Sequence, residues 1–286
     1  MAQTVLGIDI GGTSVKSATR VDGKFVAFGQ SKFYVKPDTD SLRRAIREAI
    51  GPVSDAAAIG LCVPGLMDAE RTRITLAVNV PGLMNLPLAE LVPGSLGWTG
   101  TRPTVIANDA NAAAHDLYAA RKLSGRLLLL ALGTGVGAVV LDEGGKVLEV
   151  EGGTSGHLGQ IDVSIAGHDI IGPDGGAGGL EGYIGVAALK RAYGPDVSAS
   201  ISKFTGDEPA LHAVGRALRI AHAIYRPMHI CLCGGVGIRL KPLLPKLKAL
   251  IDRNLTSVAR PGYTLTCGDD DFHSSRGVAL LAAAKA

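Results

Sequence analysis

Hydrophobic and polar positions along this chain follow two periods. Val5 to Lys16 is an apolar run, a Gly11-Gly12-Thr13 corner and a second run, which predicts strand, tight corner, strand. Leu127 to Val140 repeats the plan around Gly133-Thr134-Gly135. From Asp40 to Ile50 the period becomes helical. Leu42, Ile46, Ala49 and Ile50 share one face, Asp40 or Ser41 caps the start, and Gly51-Pro52 stops it. Ala57 to Val63 reads as a buried strand ended by Pro64-Gly65. Residues 71–100 hold Pro81-Gly82, Pro87, Pro93-Gly94 and Gly97, and so read as loop. Thr104 to Ala107 is a short strand, followed by an alanine-rich helix over 110–121.

In the second half, Gly144-Gly145 between two apolar pairs signals a hairpin. Residues 151–182 are polar, glycine-dense and aperiodic, a loop long enough to be functional. Helices are expected over 180–193, 207–225, 242–251 and 276–284. Strands are expected over 230–233, ending in Gly234-Gly235, and over 264–267. Hairpin, helix, strand, then the same again, implies an α/β protein of two lobes. The expected lobes are 1–112 with 275–286, and 113–274, with a cleft between them.

The 286 residues are 47% hydrophobic and 19% charged, which fits a globular chain with a sizeable core. A net charge of +3 without a basic run argues against a nucleic-acid partner. Cys62, Cys231, Cys233 and Cys267 form no CxxC pair and read as core residues in a reducing cytoplasm. No signal peptide or membrane-length apolar run is expected.

The glycine corners carry the first candidate chemistry. Without a Cβ, backbone N–H groups can approach an anion closely, so two corners could hold the phosphates of one nucleotide. Asp9, at the end of the first strand, could hold Mg²⁺ through water. Asn108-Asp109 follows a strand and opens a helix. Alone, Asp109 reads as a helix N-cap. Facing a cleft, it could take the proton of a hydroxyl attacking a γ-phosphoryl group, with Asn108 fixing a neighbouring hydroxyl. Neither a Walker loop nor a protein-kinase signature is present.

Gly7-Ile8-Asp9-Ile10-Gly11-Gly12-Thr13, Asn108-Asp109-Ala110-Asn111-Ala112-Ala113 and Leu132-Gly133-Thr134-Gly135-Val136-Gly137 together resemble the ROK family of sugar kinases and repressors. Cys233-Gly234-Gly235-Val236-Gly237, Val63-Pro64-Gly65-Leu66-Met67-Asp68 and Asn79-Val80-Pro81-Gly82 extend the resemblance, in order, over nearly the whole chain. It implies an actin-like (ribonuclease H-like) ATPase fold and Mg²⁺-ATP-dependent phosphorylation of a hexose. Asp109 would be the general base and Asp9 would help place Mg²⁺. Gly11, Gly12, Thr13 and Lys16 would lie near the phosphates. Gly133, Thr134 and Gly135 would form the second phosphate loop, and Gly234-Gly235 would lie under the adenosine. Gly65, Asn79, Asn108, Asp109 and Glu181 would face the sugar. A homodimer is the family expectation.

The resemblance breaks in the glycine-dense loop. The family carries Gly-Glu-x-Gly-His there, then zinc-binding cysteines. Here Gly156-His157-Leu158-Gly159-Gln160 puts His157 for the Glu and Gln160 for the His, and Gly172 to Gly179 replaces the cysteines. No zinc site is expected, since zinc takes about four N or S ligands. His157 and Gln160 become candidate sugar contacts. Three alternatives remain open at this stage: a sugar-binding pseudokinase, a sugar-responsive regulator without a DNA-binding domain, and a glucokinase using polyphosphate. With the first corner beginning at Val5, no helix-turn-helix is expected ahead of it.

Overall fold

A computed structural model describes residues 3–150, 154–173, 175–259 and 262–286. Residues 151–153 and Asp174 of the glycine-dense stretch lie outside the described residues. The chain divides into two compact units, residues 1–120 with 272–286, and residues 121–271.

The first unit contains β1 (Thr4–Ile10), β2 (Val15–Val21), β3 (Lys24–Gln30), α1 (Thr39–Ile50), β4 (Ala58–Cys62), β5 (Leu66–Met67), β6 (Ile74–Leu76), α2 (Leu88–Leu96), β7 (Thr104–Ala107) and α3 (Asp109–Ala120). The second contains β8 (Leu127–Leu132), β9 (Val136–Leu141), α4 (Leu180–Ile184), α5 (Val186–Tyr193), α6 (Val197–Ile201), α7 (Pro209–Tyr225), β10 (His229–Cys233), α8 (Gly234–Arg239), α9 (Leu244–Asn254) and β11 (Thr264–Cys267). The last helix, α10 (His273–Ala283), returns to the first unit.

The first sheet runs β3-β2-β1-β4-β7, antiparallel at β1–β2 and β2–β3 and parallel at β1–β4 and β4–β7. The second runs β11-β10-β8-β9. Read from its other edge, β9-β8-β10-β11 repeats β2-β1-β4-β7, with β8–β9 antiparallel and β8–β10 and β10–β11 parallel. The duplicated plan is therefore present over four strands, and among the described residues β3 has no counterpart in the second sheet. The expected lobe boundaries at 112/113 and 274/275 fall inside α3 and α10, two helices that pack on each other and that the first unit keeps whole.

Small residues set the first unit's geometry. A Cβ at Gly60 would lie 2.1 Å from the Val278 carbonyl oxygen, and one at Gly277 would lie 1.7 Å from that of Ala112. These positions hold α10 against both β4 and α3 at distances no side chain permits. Each unit has its own core. Leu6, Ile8, Ile46, Ile59 and Leu61 are buried in the first; Leu128, Leu130, Leu211, Leu218 and Leu232 are buried in the second.

Local readings are corrected in four places. Helix α1 is capped by Asp38, whose Oδ1 accepts the Ser41 N–H at 2.8 Å, and not by Asp40 or Ser41. The stretch 71–100 is not all loop. It contains β6 and also α2, which tolerates Pro93 internally and stops at Gly97 in the left-handed region. Burying Leu88, Leu91 and Val92 at about 1.5–3 kcal/mol each outweighs the roughly 3 kcal/mol cost of an internal proline. The helix expected over 180–193 is two helices, broken at Gly185. Short helices α6 and α8 were not signalled by periodicity. Among the described residues no helix is long and apolar enough to cross a membrane.

Candidate active site

In the first unit, the parallel strands β1, β4 and β7 end side by side. Their carboxyl ends carry Asp9 to Gly11, Val63 to Gly65, and Asn108-Asp109, the edge at which α/β sheets bind ligands. Asp9 lies opposite Lys16 on β2 and opposite Cys62 on β4. The fully buried Cys62 thiol is pushed well above its ordinary range, first by burial and then by the negative charges of Asp9 and Asp109. One buried sulfur thus sits within the field of both carboxylates.

The first glycine corner is closed by the Gly11 N–H donating to the Ser14 carbonyl at 3.0 Å. Tyr34 ties it from outside, its hydroxyl donating to the Gly11 carbonyl at 2.6 Å and its N–H to the Thr13 carbonyl at 2.9 Å. Burial, then the Asp9 charge, pushes the Tyr34 phenol up. Asn79 stands against the same corner: a Cβ on Gly12 would lie 3.5 Å from the Asn79 Cβ. Gly65 turns the chain from β4 into β5.

Asn108, and not Asp109, caps α3. Its Oδ1 accepts the Ala110 N–H at 2.9 Å and its carbonyl accepts the Ala112 N–H at 3.0 Å. Asp109 is the first helical residue and its side chain is exposed. Its Oδ1 accepts the Ala110 N–H at 2.7 Å, and no side chain among the described residues bonds to the carboxylate. The Ser274 hydroxyl donates to its backbone carbonyl at 3.1 Å, fixing the helix start from α10. The surrounding protein mass raises the Asp109 carboxyl above its ordinary value, and backbone N–H groups pull it partly back. The side chain still has open access to solvent, so the shift reports a crowded rim and not a sealed cavity.

In the second unit, the Gly133 N–H donates to the Gly135 carbonyl at 3.0 Å and closes the second corner. The Val186 N–H, freed by the break at Gly185, donates to the Gly133 carbonyl at 3.0 Å. Glu181 lies against this corner. Its Oε2 accepts the Val136 N–H at 2.9 Å, and a Cβ on Gly135 would come within 2.9 Å of that oxygen. A Cβ on Gly159 would lie 3.5 Å from it. Space stays open over Gly133, where a Cβ would meet nothing within 4 Å, and Thr134 is exposed. Gly234, with φ +77°, adjoins the corner: its Cβ would lie 2.4 Å from the Leu132 carbonyl oxygen. The Gly235 carbonyl accepts from Arg239.

The predicted residues thus gather as two sets. Asp9, Gly11, Gly12, Thr13, Lys16, Asn79, Asn108 and Asp109 belong to the first unit's strand ends; Gly133, Thr134, Gly135, Glu181, Gly234 and Gly235 belong to the second's. His157 and Gln160 join neither through their side chains, which are exposed and make no hydrogen bond among the described residues. Only their backbones meet, the Gln160 N–H donating to the His157 carbonyl at 3.0 Å. Tyr34 and Ser274 were missed, because their contacts cross 23 and 165 residues with no local pattern to signal them. Among the described residues no group of three or more His, Cys, Asp or Glu is arranged to hold a metal.

The sequence pattern that defines the ROK family matches residues 5–285. The chain belongs to the ROK family. It is 32% identical over 161 residues to an N-acetylmannosamine kinase of Salmonella newport (strain SL254), a stretch covering 54% of this chain and 53% of that protein. The match therefore spans about half the length of the curated relatives. Among solved structures, the ROK hexokinase from Thermus thermophilus has a TM-score of 0.73 and 25% identity, with 99% of each chain covered. A ROK family glucokinase from Streptomyces griseus, in complex with glucose and AMPPNP, has a TM-score of 0.73 at 22% identity, covering 98% and 99%, a likeness of fold. The ROK chain's two matching α/β sheets are those of the actin-like ATPase fold.

Proposed function

We propose that this ROK protein is an ATP-dependent hexose kinase in which Asp109 is the general base. The observation that carries the reading is the state of that carboxylate. It is exposed at the end of a parallel strand, free of side-chain partners among the described residues, and raised in proton affinity, as a base for a hydroxyl requires. Asn108, whose side chain caps the helix, would set the neighbouring hydroxyl.

The donor fits the glycine corners. Backbone N–H groups and the open space over Gly133 suit phosphate oxygens, with Thr13 and Lys16 beside the first corner. Gly234-Gly235, adjoining the second corner, would support the adenosine. Asp9 would hold Mg²⁺ through water, since Mg²⁺ keeps most of its waters and takes phosphate oxygens, and the bound ion would neutralise charge on the transferred group. Glu181 fits the acceptor. A carboxylate held by one N–H has lone pairs left for sugar hydroxyls. Gly65 and Asn79 would complete the sugar side.

The names of the relatives support a hexose or N-acetylated hexosamine as acceptor. Family analogy supports a cytoplasmic homodimer. The side chains of His157 and Gln160, exposed and without a hydrogen bond among the described residues, favour one second reading, a sugar-binding protein without turnover. Coupled ADP release across a sugar panel, with ATP and with polyphosphate as donors, separates these. Turnover with ATP and at least one hexose supports the kinase; sugar binding without phosphorylation by either donor supports the second reading.

A further inference from the structure

His212, Arg216 and Arg219 stand at i, i+4 and i+7 on α7 and so share a face. With Leu250 and Asn254 of α9 and Ile165 of the glycine-dense loop they line a cavity of about 380 Å³. That is within the roughly 300–1,000 Å³ of small-molecule sites. Among the described residues no carboxylate lines it. The Arg219 guanidinium and the His212 ring have no partner among the described residues. Arg216 donates to the Ser164 carbonyl at 2.5 Å, and the acid it acts on is Asp162, whose carboxyl is held low mainly by its bonds from Ser164. The Asn254 amide N–H₂ donates to the Leu250 carbonyl at 2.9 Å, which leaves its oxygen free to accept.

Two guanidiniums share one concavity, and Asp162 acts on Arg216 and not on Arg219, so the Arg219 end forms a positive focus that an anion would relieve. Guanidinium forks match phosphate oxygens in pairs. Ile165 and Leu250 offer apolar walls, and the Asn254 oxygen can accept from a hydroxyl. We propose that this cavity binds a phosphomonoester with a small hydroxylated body, of the class of a phosphorylated monosaccharide.

Occupancy reaches the loop that backs Glu181. The Arg216 partner Ser164 precedes Ile165, whose N–H donates to the Tyr183 hydroxyl at 3.0 Å. In the same loop, the Leu180 N–H donates to the Ile161 carbonyl at 3.3 Å, one residue before Glu181. An anion that draws the Arg216 fork toward itself competes with the Ser164 bond.

The test is a titration of the full-length, isotope-labelled protein followed by amide NMR, with glucose 6-phosphate, inorganic phosphate and glucose as separate probes. The expected result is saturable movement of the Gly215, Leu250, Asn254 and Ile165 amides by glucose 6-phosphate, with a dissociation constant below about 1 mM. Arg216→Gln/Arg219→Gln should abolish it while the Thr134 and Val136 amides keep their wild-type positions, which reports an intact fold. Arg219→Lys, keeping charge without the fork, should weaken binding several-fold. Equal saturation by inorganic phosphate would overturn the hydroxylated body as part of what the cavity recognises. Equal movement by neutral glucose, no movement at these amides, or binding untouched in the double variant would overturn the site. Movement at Leu250 and Asn254 with Ile165 unaffected would overturn the link to the loop.

Discussion

Glu181 Oε2 accepts the Val136 N–H at 2.9 Å, across 45 residues of chain. The bond joins the first turn of α4 to the residue after the second glycine corner. It makes a long, aperiodic loop return to a defined place, and gives the proposed sugar side a fixed carboxylate.

Glu181→Gln keeps an oxygen for Val136 and removes the charge. A hydrogen bond to a charged group contributes about 1.5–3 kcal/mol, so kcat/KM for the sugar should fall roughly ten- to a hundredfold. Affinity for ATP should stay near wild type. Steady-state kinetics varying each substrate in turn check this, and an equal loss on the ATP side would place Glu181 on the donor side.

Asp116 is a second fixed point. It is 2% exposed, accepts from His273 Nδ1 at 2.7 Å and from Arg276 Nε at 2.8 Å, and so locks α3 to α10. Removing this buried carboxylate takes away the acceptor that both side chains share, at about 3–5 kcal/mol. Asp116→Ala should lose stability of that order in urea unfolding, and a change within about 0.5 kcal/mol would show that the set does not lock the helices.

Gly277→Ala inserts a methyl group where the Ala112 carbonyl oxygen stands 1.7 Å away. Backbone must move, so α10 should shift from α3 and the midpoint of thermal unfolding should drop. Overpacking typically costs about 1–3 kcal/mol, and this contact, being with backbone, belongs at the upper end. An unchanged midpoint would contradict the packing described.

The Asp109 carboxyl carries a pH dependence. Its folded value lies above the ordinary 3.8. Between the two values the folded state binds more protons than the unfolded state, so stability falls as pH rises through that window and the cost persists above it. Asp109→Asn removes the charge and should unfold at a higher temperature than wild type at neutral pH, with the difference vanishing below the ordinary carboxylate value. A variant less stable at neutral pH would contradict the direction of the shift.

Much of the fold could be read from the sequence wherever period and punctuation agree. Both strand–corner–strand pairs lie where the glycines and alternating apolar positions place them, and β11 spans the four residues expected. What could not be read depended on partners far along the chain. Four polar residues from Asp38 to Ser41 compete for one cap, and only the packed helix shows that Asp38 holds it. The break at Gly185 is set by the Gly133 carbonyl, which claims the Val186 N–H. The assignment of Asn108 as cap, which leaves Asp109 available, depends on side-chain orientation that no spacing encodes. Tyr34 and Ser274 were hidden for the same reason.

The central claim is that Asp109 removes a proton from a sugar hydroxyl. Steady-state turnover of Asp109→Asn beside its ATP affinity tests it most directly. The proposed role predicts a fall in kcat of about 10²–10⁴-fold, with ATP binding within about threefold of wild type. Turnover near the wild-type rate would contradict it.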